Sequence, residues 1–258
     1  ASYVSALLVA SRRQGSGEGA RVDEDEPSRE ITHLALQRAL VSNDSSQVLG
    51  ALDVLPRGVL SVRLEPLVAP LVTSQDPRVR EATIAYLGSL GNRKYAKKFL
   101  PLFDDPDAKV AASAIRAYAS LERERALSLL KRPLSAKAPE IKAATIAGLI
   151  EYGGLSGIME ATGVLDAMLK NPEASERENG ARVLGYIKIR SFYQPLFALI
   201  NDPDPKVKLA AIAAAGEIKS RELIPALILV LGEEGPRVKA AQKALAQMGN
   251  DIAPLLAT

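Results

Sequence analysis

One spacing constrains this chain more than any other feature. Small aliphatic residues followed by helix formers recur at Val48, Val79, Val110, Ile141, Val207 and Val238, and all neighbours but one pair are 31 residues apart. Glu176 stands in that gap, 35 residues after Ile141 and 31 before Val207, so one copy carries four extra residues and the register then resumes. A period of this length describes a stacked array, here of seven copies, in which each unit buries its hydrophobic face against the next. Length therefore does not count domains, and the 258 residues read as one array.

Each copy reads as two antiparallel helices. Positions 12, 11, 8 and 7 before the seven anchors make 28 places, of which only Gln37 and Lys98 are polar. Those offsets share one helical face, the stripe that a first helix buries against a partner. The second helix begins near the anchor and carries small residues suited to close approach, as in Ala82-Thr83-Ile84, Ser113-Ala114-Ile115, Ala144-Thr145-Ile146 and Ala210-Ala211-Ile212. Gly58, Gly91, Gly153 and Gly249 are helix stops. Asp76-Pro77, Asp105-Pro106, Asp202-Pro203 and Asp204-Pro205 are turns, because Pro disfavours helix in the residue before it. With 47% hydrophobic residues and only 4% aromatic ones, the core is one of Leu, Ala, Val and Ile.

The expected organisation is a short amphipathic helix over 1–13, a Gly-, Ser- and acid-rich linker over 14–28, the array over 29–250, and the start of a further repeat over 251–258. The acidic run Asp23–Glu26 before Pro27 suits a helix start. A chain that opens on Ala1 and stops as another Pro-containing helix begins reads as a segment of a longer protein. The four extra residues fall in Gly153–Gly157, expected to be the loosest part of the array: a hinge or docking loop, or else a tolerated surface insertion.

The first helices with Pro-Leu or Leu-Pro, the turn Asn201-Asp202-Pro203-Asp204-Pro205-Lys206-Val207-Lys208, and the following Ala210-Ala211 and Ala214-Ala215-Gly216 resemble the HEAT-repeat family over about residues 29 to 250. The resemblance implies an all-α, right-handed α-solenoid of about seven hairpins, with first helices bent near Pro66, Pro70, Pro101, Pro195 and Pro225. A second resemblance concerns context. Tyr3-Val4, Leu7-Leu8 and Arg12-Arg13, then a polar linker, a helix and Gln47–Leu55, are similar to the lead-in of HEAT segments in bacterial membrane proteins. Those proteins fuse a nucleotide-translocase-like transporter to HEAT repeats and often to a cyclic-nucleotide-binding domain. This implies a regulatory relay, cytoplasmic or on the cytosolic side of an inner-membrane protein.

Reactive chemistry is sparse. Zero cysteines exclude thiolate metal sites and disulfides and fit a reducing compartment, and His33 is the one histidine. HEAT-type deoxyhypusine hydroxylases hold iron with His-Glu pairs, whereas His33 is followed by Leu34. HEAT-like alkylpurine DNA glycosylases use Trp, and this chain has none. Bilin lyases use related repeats, and nothing marks a bilin pocket. The expectation is a non-enzyme without cofactor or metal. No apolar run reaches the roughly 18 residues of a membrane span. A net charge of +3 gives little ground for nucleic acid as partner.

The candidate site is a polar ladder at the starts of the second helices: Arg78, Arg80, Lys109, Lys142, Arg177, Lys206, Lys208, Arg237 and Lys239. Cations there oppose the helix dipole, so their recurrence calls for carboxylates. Asp76, Asp107 and Asp204, three residues before their anchors, are expected to cap their own helices and to pair with a basic residue of the adjacent repeat. Either the ladder is structural or it is a ridge for an acidic partner, in a scaffold that binds another protein or flanking domains of the same chain.

Overall fold

The computed structural model describes residues 26–55 and 59–249, all helical or in turns, and among them there is no strand. The expected helix over 1–13, most of the linker over 14–28 and the further repeat over 251–258 lie outside the described residues. The chain falls into two compact units, Ala1–Ala117 and Tyr118–Thr258.

In the first unit the helices are α1 (Glu26–Leu40), α2 (Ser45–Val54), α3 (Val59–Val68), α4 (Pro77–Ser89), α5 (Ala96–Phe99) and the first part of α6 (Ala108–Glu122). Helix α1 opens at Glu26, on the acidic run before Pro27. It packs on α2, and α2 packs on α4, so successive second helices lie side by side with first helices covering them. Gln47–Leu55, singled out in the sequence, forms most of α2 and buries Val48, Ala51, Leu52 and Leu55 like any other second helix.

The second unit continues with α7 (Leu127–Leu134), α8 (Pro139–Tyr152), α9 (Gly154–Leu169), α10 (Ala174–Ile187), α11 (Gln194–Ile200), α12 (Pro205–Ile218), α13 (Ile224–Leu231) and α14 (Pro236–Met248). Its second helices α8, α10, α12 and α14 pack in that order, and α7, α9, α11 and α13 each pair with the helix that follows.

Prolines mark where first helices change pitch. α3, with Pro66 inside it, passes into a 3-10 turn at Ala69 carrying Pro70, and α5 passes into one at Leu100 carrying Pro101. Pro195 and Pro225 stand in the first turns of α11 and α13, directly after 3-10 turns at Arg190–Tyr193 and Arg221–Leu223. Proline has no N–H for the i→i−4 bond, so the tighter turn avoids a broken ladder.

Within the stripe, the row 11 before the anchor lies deepest: Val68, Phe99, Leu130, Leu165, Leu196 and Leu227 are all buried. The row 12 before sits at the edge in the later repeats, which explains why Lys98 is tolerated and why Leu129 is 46% exposed. In α1 the register turns by one residue, burying Leu36, Ala39 and Leu40 and leaving Val41 66% exposed, contrary to the sequence pattern. One residue is a rotation of about 100°.

Close contacts join one second helix to the next, and at four of them a glycine faces an alanine. A Cβ on Gly88 would lie 2.9 Å from that of Ala117, and one on Gly148 2.7 Å from that of Ala119. At Gly185 the nearest atom would be the Ala214 Cα at 3.1 Å, and at Gly216 the Gln247 side chain would be nearest, with the Ala244 Cα 2.8 Å away.

Gly153–Gly157 corrects the sequence reading of a loose loop. The Gly153 N–H donates to the Leu149 carbonyl at 2.9 Å, and the Gly157 N–H to the Gly153 carbonyl at 3.0 Å. Gly154 reverses the chain at φ +61°, and a Cβ on Gly153 would fall 2.6 Å from the Leu149 oxygen. The four extra residues become one added turn at the start of α9, which runs for 16 residues. Four residues are close to the 3.6 of a helical turn, so the stripe re-enters the stack in phase.

Two substitutions test the contact between second helices. Gly185→Leu forces side-chain volume against Ala214 and is expected to lower stability by about 1–3 kcal/mol in chemical denaturation. Gly163, exposed in α9 with open space around it, serves as the control: Gly163→Ala is expected to raise stability by roughly 0.5–1 kcal/mol.

Candidate functional site

The basic ladder resolves into residues with different partners. Arg80 and Arg177, each one past its anchor, form the same clamp. Arg80 donates from Nε and Nη2 to both oxygens of Asp105 at 2.8 and 2.7 Å, and from Nη1 to the carbonyls of Ser74 and Gln75 at 2.8 and 3.1 Å. Arg177 donates to both oxygens of Asp202 at 2.7 and 2.9 Å, and to the carbonyls of Asn171 and Pro172 at 2.9 and 2.7 Å. Each fork therefore ties its own turn to the turn of the following repeat. The planar guanidinium suits this, because it offers donors in two directions at once.

Asp76, Asp107 and Asp204 cap their helices. They accept from the backbone N–H of Arg78 at 2.9 Å, Lys109 at 2.8 Å and Lys206 at 2.7 Å. The expected pairing of these same residues with a basic residue of an adjacent repeat is not what the geometry shows. That role falls to Asp105 and Asp202, two residues earlier, which also accept from the N–H of Asp107 and Asp204 at 2.9 Å in each case. The Pro between the two aspartates turns their carboxylates to different tasks. Asp76 instead pairs with Arg78 at 2.8 Å, and Arg78 holds its carboxyl far below the usual range.

The remaining rungs are looser. Lys142 lies 3.6 Å from Glu176, which explains the acid at an anchor position. Arg237 pairs with Glu233 and donates from Nη2 to the Ile200 carbonyl of the preceding repeat at 3.0 Å. Lys208 acts on Asp202 only through charge. Among the described residues, Lys109, Lys206 and Lys239 have no ion-pair partner, and the first two lie, like Arg78, one residue before their anchors. His33 is half-buried on α1, and no group of three or more His, Cys, Asp or Glu among the described residues is placed to hold a metal.

Asp105 and Asp202, absent from the expected ladder, do carry a sequence signal. Arg80 precedes Asp105 by 25 residues and Arg177 precedes Asp202 by 25, while Ala111 has Ala136 at the same distance. In these three copies Arg and Asp occur together or not at all.

Concave surface lies elsewhere, along the second helices. In the second unit a groove of about 780 Å³ separates α10 from α12, lined by Glu178, Arg182, Tyr186, Lys188, Lys206 and Glu217 over a floor that includes Gly185, Ala210, Ala213 and Ala214. In the first unit a groove of about 520 Å³ lies between α2 and α4, lined by Leu49, Leu52, Asp53, Ala82, Ala85 and Tyr86 among others. Apart from these, Leu155 and Met159 on the added turn of α9 are 76% and 66% exposed.

Removing one partner of a clamp leaves the other buried and unpaired. The side chains of Arg80 and Asp105 are 11% and 4% exposed. Arg80→Ala is therefore expected to cost about 2–4 kcal/mol. Arg78→Ala, whose side chain is 69% exposed, is expected to leave the urea midpoint almost unchanged. Equal effects of the two would contradict the clamp.

Acid should undo the same interaction. Burial pushes the Asp105 carboxyl up, but the Arg80 hydrogen bond and the Asp107 amide outweigh it and the net shift is down. At Asp202 the Arg177 hydrogen bond dominates over burial, again downward. The unfolded chain then binds these protons first. Their contribution is complete above about pH 4 and is lost as pH falls through the lower folded values. Denaturation midpoints measured from pH 7 to pH 3 should fall at the acid end, and the fall should be shallower in Asp105→Asn/Asp202→Asn.

A family model for HEAT repeats matches residues 64–150 and 161–250, leaving the added turn between the matched stretches. Among solved structures, a chain of the complex of CpcE and CpcF of phycocyanin lyase from Nostoc sp. PCC7120 is 15% identical, with 91% of this chain and 99% of that one covered and a TM-score of 0.45. Human deoxyhypusine hydroxylase in complex with glycerol is 18% identical over 85% of this chain and 98% of that one, with a TM-score of 0.36. A computationally designed armadillo repeat protein for modular peptide recognition is 20% identical over 71% and 99%, with a TM-score of 0.33. No curated protein matches the chain. With the family model spanning well over half its length, the 31-residue period and the paired helices, this chain belongs to the HEAT-repeat family.

Proposed function

We propose that the chain is a non-catalytic scaffold that holds another protein, or a flanking domain of its own chain, on the exposed face of its second helices. The observation that carries this reading is the repetition of one kind of surface. Each unit has a groove between consecutive second helices, with small residues exposed along it, such as Ala85 in one and Ala213 in the other. Exposed alanines on a rigid helical face let a partner approach closely and keep its own side chains as anchors.

The strongest cations of the ladder are occupied inside the stack. Arg80 and Arg177 saturate the carboxylates of Asp105 and Asp202 and bond two carbonyls each, so we infer that these rungs hold the array rather than the partner. Interleaved acids weaken the field that nucleic acid would need. No helix among the described residues is long and apolar enough to cross a membrane. A chain with zero cysteines suits a reducing, cytoplasmic setting.

Arginine substitutions on the grooves test this reading. Affinity purification from an extract of the source cells with the wild-type chain should retain a partner that Ala85→Arg or Ala213→Arg loses, while thermal melts confirm that both variants fold. An unchanged set of retained proteins would refute a second-helix interface.

A further inference from the structure

Resting on that reading, the groove between α10 and α12 has enough chemistry to define its occupant. It runs from Lys206 to Glu217 along α12, eleven helical steps of about 1.5 Å, and so is about 16 Å long. A segment of about three helical turns has that length. An extended chain would fit it poorly for a second reason. The floor is the side of two α-helices whose N–H and C=O groups are bonded within each helix, so it offers no ladder for a strand, whereas a helix satisfies its own backbone.

The walls select side chains. Gly185 and Ala214 are buried at the bottom, with Ala210 half-buried and Ala213 exposed. Tyr186 is 48% exposed, and its hydroxyl donates to Glu140 of α8 at 3.0 Å, which fixes the ring as one wall. Leu209 lines the same space. Apolar side chains from a partner helix can reach this floor between the ring and Leu209.

Charge supplies the rest. The lining carries three cations, Arg182, Lys188 and Lys206, against two carboxylates. Arg182 donates from Nε and Nη2 to Glu178 at 3.2 and 2.6 Å, and Lys188 pairs with Glu217 at 2.7 Å. Both carboxylates are engaged, and Lys206 is left as the ammonium without a counter-charge among the described residues. The complementary group on a ligand is a single carboxylate.

We propose that this groove holds an amphipathic helix of a partner protein, about three turns long, with apolar side chains on the Gly185–Ala214 floor and an Asp or Glu beside Lys206. A phage-displayed library of random peptides about 16 residues long, panned on the full chain, provides the probe. The expected peptides carry apolar residues at i, i+3 or i+4 and i+7 together with an excess of acids. Binding of the selected peptides by fluorescence anisotropy should weaken at least about tenfold in Ala213→Arg and in Lys206→Glu. Repanning on Lys206→Glu should select basic peptides. Selected helices that are basic or neutral on the wild type, yet still lost in Ala213→Arg, would overturn the acidic partner and leave the second-helix interface standing. Peptides indifferent to Ala213→Arg would overturn the groove, and indifference to Ala85→Arg as well would overturn the interface itself. An unenriched library would refute the helix-binding groove.

Discussion

Close approach between consecutive second helices is the contact on which the stack depends. A hairpin of two short helices has one stripe to bury and no core of its own, so its stability comes from its neighbours. The glycine–alanine contacts set how near those neighbours come: Gly88 with Ala117, Gly148 with Ala119, Gly185 with Ala214 and Gly216 with Ala244. Larger residues at these places would push the second helices apart and open the Leu, Val and Ile rows that the first helices cover.

The Arg clamp answers a different need. Apolar stripes are non-directional and tolerate sliding, whereas Arg80 and Arg177 each satisfy four acceptors from two turns at fixed geometry. A slip between repeats would leave a carboxylate such as Asp105, 4% exposed, without its cation. Burying such a pair contributes little net stability compared with apolar packing, yet breaking it is costly. The clamp acts as a register pin on an array held together by its apolar rows.

Much of this is legible in the sequence, and the exceptions have physical causes. The period, the paired helices and the caps by Asp76, Asp107 and Asp204 are readable because each depends on local spacing and backbone chemistry. Asp105 and Asp202 escape such a reading because their partners are 25 residues away, where a single copy of the motif says nothing. Only comparison between copies, with Arg and Asp gained or lost together, exposes them. The Gly153–Gly157 segment has the composition of a loop without being one. Gly153 and Gly157 are small because Leu149 crosses them, not because the backbone needs to move. Val41 and Leu129 show a further limit, as a stripe read at fixed offsets ignores a rotation of the helix.

The placement of charge follows from the same geometry and bears on what the surface can recognise. Residues one past the anchor point along the stack, so a guanidinium there meets the next turn and is neutralised. One residue before their anchors, Lys109 and Lys206 are exposed and have no ion-pair partner among the described residues, whereas Arg237, at the same place in its repeat, is held by Glu233 and the Ile200 carbonyl. Arg78 is neutralised by its own cap, Asp76, which removes that position from the exposed field in its repeat. Arg177 and Lys206 show the two outcomes within the second unit, the first an internal fastener and the second an exposed cation. On the second helices of the second unit the cation without a counter-charge is Lys206, while Arg177 is held by Asp202.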